Sequence, residues 1–150
     1  GGRGGVRQGG LVKPRQRFRA APRWFARPPA PKPYRGDDRA AIEGVHFVTS
    51  DADLQRLVEE SRRQGTKLFV EFGAAWCDHC KSMVPKMARL GRQHPRHTFA
   101  VADIFHVPQT SKTVVYTPTF WIYSHGVKVD QMVGSDKKNL DDKVWLQLQD

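Results

Sequence analysis

Two cysteines are all the chain holds in 150 residues, so any thiol chemistry is confined to one pair, Cys77 and Cys80. No apolar run reaches membrane-spanning length, so the sequence offers no transmembrane helix and a membrane is left out of the expected partners. A secretory core is missing too, because Leu11-Val12 is far too short for one. Serine and threonine are absent before Thr49. That counts against a mitochondrial transit peptide, although the arginine richness and scarcity of acids fit one. Acidic residues are scarce in the same stretch. Residues 1–41 carry nine Arg and two Lys against only Asp37 and Asp38, which is +9 of the chain's total net charge of +10.

Arginine, glycine and proline fill those 41 residues, with six of the ten prolines and seven of the thirteen glycines. Sparse apolar residues broken by Gly and Pro cannot build a packed core. The expectation is an extended basic arm over residues 1–41 and one domain of ordinary size over 42–150. Arginine alternates with aromatics in Arg17-Phe18-Arg19, Arg23-Trp24-Phe25 and Tyr34-Arg35. Arginine neutralises phosphates and aromatics stack on bases, so Arg15, Arg17, Phe18, Arg19, Arg23, Trp24, Arg27, Lys32 and Arg35 are candidates for binding RNA or an assembly. The run Arg27-Pro28-Pro29-Ala30-Pro31-Lys32-Pro33 favours extended polyproline geometry suited to a groove. The plainer reading is a solvated tail.

The rest of the chain reads as alternating strands and helices. Gly44–Val48 suggests a short strand, and Ser50-Asp51-Ala52-Asp53 a capped helix start running to a stop at Gly65. Lys67–Phe72 is a continuous apolar strand of the kind buried on both faces. From Cys77 a helix places Met83, Val84, Met87 and Leu90 on one face and ends near His94-Pro95; its methionines read as core. Phe99–Asp103 is a third strand, and a short helix is expected around Gln109–Val115. Thr119–Tyr123 and Val127–Val133 form a hairpin across Ser124-His125-Gly126. A last helix from near Ser135 is expected to pack Leu140, Val144, Trp145 and Leu148. The order βαβαβαββα gives an α/β fold, a mixed sheet with helices on both faces.

Cys77 and Cys80 stand two residues apart where the buried strand passes into a helix. There the positive end of the helix dipole and unpaired N–H groups favour thiolate at the first cysteine. The second can resolve a mixed disulfide. Cys77-x2-Cys80-x13-His94-x2-His97 also approaches zinc-finger spacing, but Pro95 interrupts the helix such a finger needs. No metal and no cofactor are expected. His46, His106 and His125 show no ligand spacing and read as surface or strand-edge residues.

The stretch Val70-Glu71-Phe72-Gly73-Ala74-Ala75-Trp76-Cys77, with Pro85, Thr117-Pro118-Thr119-Phe120 and Val133-Gly134 following in order, resembles the thioredoxin-like family over residues 44–150. The resemblance implies a thioredoxin fold with a cis peptide before Pro118 that faces the cysteines. It also implies Cys77 and Cys80 as the exchange pair, with Trp76, Thr117 and Pro118 lining a substrate groove. Glu71 stands where the family has a buried aspartate, and His79 resembles the histidine of disulfide isomerases; both are expected to assist proton transfer. Asp78-His79 replaces the usual Gly-Pro, and Asp78 opposes thiolate by like-charge repulsion.

Two functions compete, beside a domain whose cysteines serve only as a packing module. The first in rank is a subunit of an organellar ribonucleoprotein such as a mitochondrial ribosome. Its arm would hold rRNA and neighbouring proteins, with redox capacity retained or vestigial; a chain opening on Gly1 after presequence removal and a mitochondrial location belong to this reading. It ranks first because a freestanding reductase has no need of such an arm. The second is a thiol–disulfide oxidoreductase acting on disulfides of substrate proteins. A weaker third is a protein-only complex whose acidic groove takes the arm.

Overall fold

Strands buried on both faces need two covering layers, and the protein supplies them. The structure is a computed structural model that describes residues 42–149. The arm and the candidate residues assigned to it, from Arg15 to Arg35, lie outside the described residues. The elements run β1 (His46–Val48), α1 (Asp51–Gln64), β2 (Lys67–Gly73), α2 (Asp78–Gln93) and β3 (Thr98–Asp103). A 3-10 turn (Thr110–Thr113), β4 (Thr119–Ser124), β5 (Val127–Val133) and α3 (Lys137–Gln147) complete the order.

The sheet order is β1-β3-β2-β4-β5. β1, β3 and β2 are mutually parallel, and β4 and β5 run antiparallel to their neighbours. β2 is central, pairing Glu71 with Val101 of β3 on one side and with Phe120 of β4 on the other. Alternation along β2 sends Leu68, Val70 and Phe72 into a cluster with Leu54, Leu57 and Val58 of α1. Phe69 goes to the other face, into a cluster with Met83, Met87 and Leu90 of α2 and Leu140 and Val144 of α3. This is the thioredoxin fold expected from the sequence, a mixed sheet between helices.

Local signals explain the ends of the elements. Ser50 N-caps α1 by accepting the Asp53 N–H at 3.0 Å, and Gly65 closes it at φ 68°, where a β-carbon is disfavoured. The β4–β5 turn is tighter than the three residues expected: His125 and Gly126, with φ of 55° and 79°, make a two-residue connection between paired Ser124 and Val127. The helix expected around Gln109–Val115 is only the four-residue 3-10 turn, held from outside by Asp51, whose carboxylate accepts the backbone N–H of Gln109 and Thr110. Trp145, expected in the core, is 62% exposed, while Leu140 and Val144 of the same helix are buried. A β-carbon on Gly91 would overlap the carbonyl oxygen of Gly44, so α2 crosses the segment before β1 at backbone contact.

Candidate active site

The active-site end of the molecule is built where β2 hands over to α2. Cys77 is the N-cap of α2, extended at φ −92°, with its N–H donating to the Ala74 carbonyl at 3.0 Å. Its Sγ accepts the Cys80 N–H at 3.2 Å. Sulfur therefore occupies the place where a capping oxygen normally meets the unpaired donors of a helix start. A negative charge on that sulfur is stabilised by the same hydrogen bond and by the dipole behind it. Cys77 and Cys80 are joined as a disulfide with their Cα atoms 5.2 Å apart. Cys77 is half-buried and Cys80 is 4% exposed, so an incoming sulfur meets Cys77.

Thr117-Pro118 closes the site from β4. The peptide between them is cis, as expected, and the Thr117 carbonyl oxygen lies 3.8 Å from Cys77 Sγ. The Gly134 N–H donates to the Pro118 carbonyl at 2.9 Å, which ties the end of β5 into the same loop. Trp76, half-buried, meets the ring of Phe105 at 5.1 Å between centroids. Phe105, Val115 and Tyr116 are exposed beside this loop system. Phe105 was not singled out from the sequence, because it sits in an irregular stretch where no period marks it.

Glu71 is fully buried and lies on the α2 face of the sheet, two residues before Gly73. Neither carboxyl oxygen has a hydrogen-bond partner. Burial alone pushes the Glu71 carboxyl up to about 8, so near neutral pH it holds a proton for most of the time. A β-carbon at Gly73 would stand 3.2 Å from Cys80 Sγ and 3.8 Å from Glu71 Oε2. The β-carbon position left open at Gly73 thus adjoins both the inner cysteine and the carboxyl. His79 is exposed in the first turn of α2, as is Asp78. Pro85 lies inside α2, where it cannot donate a hydrogen bond to the preceding turn.

Zinc spacing does not survive the fold. Cys77 caps one end of α2 and His94 the other, and 16 helical residues separate them by about 24 Å. His97 Nδ1 instead accepts the Lys67 backbone N–H at 3.0 Å, at the far end of the sheet.

A family model described as Thioredoxin matches residues 45–145. The protein named Thioredoxin-like 3-3 from Oryza sativa subsp. japonica is 34% identical over 97 residues, covering 65% of this chain and 75% of that protein. Its namesake in Arabidopsis thaliana is 30% identical over 102 residues, covering 68% and 81%. Among solved structures, the crystal structure of a poplar thioredoxin h superposes with a TM-score of 0.67 at 29% identity, covering 71% of this chain and 98% of that one.

Proposed function

The chain belongs to the thioredoxin family, and from that premise we propose that it is a thiol–disulfide oxidoreductase acting on disulfides of substrate proteins. The observation that carries the reading is the pair itself, an accessible sulfur at a helix N-cap bonded to a buried one three residues on. In the reduced protein the Cys77 thiolate attacks one sulfur of a substrate disulfide and the other substrate sulfur leaves as thiolate. The Cys80 sulfur then attacks Cys77 Sγ, forming the intramolecular disulfide and releasing the second substrate sulfur. The Cys80 proton passes toward Glu71 in those molecules whose carboxyl is ionised, a minority near neutral pH. An external dithiol reductase or small thiol restores the reduced pair by the reverse exchange, during which Glu71 returns the proton to the departing Cys80 sulfur. Trp76 and the Thr117-Pro118 loop flank Cys77 and give an extended substrate segment a surface to lie on.

The test is turnover. Reduction of insulin by the full chain with dithiothreitol as electron source should be clear above the uncatalysed rate, and Cys77→Ser should abolish the excess. Insulin reduction no faster than dithiothreitol alone refutes the reading.

The ribonucleoprotein role, ranked first from the sequence, falls to second. The domain's relatives are named as thioredoxins and thioredoxin-like proteins, and none of those names supports a ribosomal role. What still supports a polyanion contact, and with it RNA partners and a mitochondrial location, is the +9 charge concentrated in residues 1–41. Deleting those residues should abolish salt-sensitive retention on RNA while insulin reduction persists. Retention that is indifferent to salt or to the deletion removes this second role.

A further inference from the structure

The ladder between β2 and β3 begins one residue late, and a side chain completes it. The two strands pair from Leu68 and Thr98 onward. Just before that point the His97 N–H donates to the His94 carbonyl at 3.0 Å, closing the turn that follows α2. The Lys67 N–H, which opens β2, donates to His97 Nδ1 at 3.0 Å. On its other side Lys67 Nζ donates to Ser124 Oγ of β4 at 3.0 Å. Three strands therefore meet at Lys67, at the end of β2 that lies about 20 Å from Gly73.

An imidazole nitrogen accepts a hydrogen bond only while it carries no proton. The bond from Lys67 thus sets His97 as the neutral ring with its proton on Nε2, and a second proton would place N–H against N–H. The surroundings favour the neutral ring. Burial holds His97 below its ordinary value of 6.5, and the positive charges of Arg96, protonated His94 and Lys67 add to the effect. The carboxylates that line the same cleft from α3, Asp141 and Asp142, are paired with Lys86 and Lys138.

We propose that His97 is a proton-sensitive latch on the end of the sheet: the neutral ring clasps the first residue of β2 to the start of β3, and protonation of the ring releases it. The ring is only half-buried, beside a cleft it shares with Trp145 and Leu148, so protons reach it from solvent. A folded value below 6.5 means that the latch is closed at neutral pH and opens as pH falls through that folded value. Neither cysteine takes part, so the latch stands whether or not the chain reduces disulfides.

The experiment is nitrogen-15 NMR of the full chain, taken from about pH 8 down to about pH 4. At the upper end a coupling across the hydrogen bond should join the Lys67 amide nitrogen to His97 Nδ1, and the ring shifts should report the Nε2–H tautomer. Both signatures should vanish as His97 titrates, with a midpoint below 6.5. Over the same range protection of the Lys67 amide, corrected for its intrinsic exchange rate, should fall by at least about tenfold, while Val70 in the middle of β2 keeps its protection. His97→Asn supplies an acceptor oxygen that does not titrate, so Lys67 protection in that variant should not vary with pH. His97→Ala should leave Lys67 poorly protected at every pH; should that variant fail to fold, the comparison of wild type with His97→Asn still decides. A midpoint at or above 6.5, Lys67 protection that ignores pH in the wild type, or a pH-dependent loss of protection in His97→Asn each overturn the proposal.

Discussion

Replacing Glu71 by glutamine should change how stability depends on pH, in a direction fixed by burial. The carboxyl has an ordinary value of 4.5 and is pushed up to about 8 in the folded protein by desolvation. Below 4.5 it is neutral in both folded and unfolded chains, and its contribution is fully present. Between 4.5 and about 8 the unfolded chain releases the proton while the folded one keeps it, so stability falls as pH rises through this window. Above the folded value both forms are charged and the loss is complete. At about 1.4 kcal/mol per pH unit the window amounts to roughly 5 kcal/mol as an upper bound, a large share of the ~5–15 kcal/mol that a domain possesses. Glutamine keeps the shape and cannot ionise, so its own burial cost is constant with pH. The assay is urea unfolding of the oxidised full-length wild type and Glu71→Gln from pH 4 to 9. The difference between the two should be flat below pH 4.5 and grow in favour of glutamine up to about pH 8. Every other titrating group is common to both proteins and cancels. Parallel curves across that range would refute the reasoning, because they would mean that the carboxylate is solvated in place.

Iodoacetamide titration of the reduced chain should modify Cys77 before Cys80, with half-maximal rate well below the unperturbed thiol value of about 8.5; equal labelling near that value would remove the case for a thiolate stabilised at the helix N-cap. Gly91→Ala should cost at least about 3 kcal/mol, the upper part of the overpacking range, because the added carbon meets backbone that cannot rotate away; chemical denaturation reads this directly, and a loss below about 1 kcal/mol would show that α2 and the segment before β1 separate easily.

Most of the fold was legible because its signals are local. The apolar run of β2, the capping serine before α1 and the Thr117-Pro118 pair can each be read without knowing what they touch. The parts that were misread depend on tertiary partners. Trp145 was expected inside with Leu140 and Val144, yet it is exposed, one position off the face of α3 that those two bury. The segment around Thr110 shrinks to a 3-10 turn because Asp51, 59 residues away in sequence, ties its backbone down. At the site, Cys77, Cys80, Trp76 and Pro118 were legible as a motif. Gly73 was quoted within that motif, but its close packing on Cys80 is a matter of the space beside it, and space has no letter in a sequence. Phe105 was invisible for the complementary reason: its only distinction is the ring it meets.

The outermost strand bears on how the protein behaves in a crowd. β5 lies at the edge of the sheet and exposes Val127, Val129 and Val133, a combination that invites another chain to add a strand. Its ladder with β4 breaks where Ile122 pairs with Asp130 and Tyr123 with Lys128, which leaves Val129 without a partner. That extra residue bends the strand and interrupts the straight row of donors and acceptors that an aggregating neighbour would follow. The charges on either side are also held in place, Lys128 over the Trp121 ring at 4.2 Å and Asp130 by Lys143 at 3.0 Å. An approaching strand would have to bury or displace both. The irregularity in the edge thus works against the pairing of a further strand along the valine-rich border.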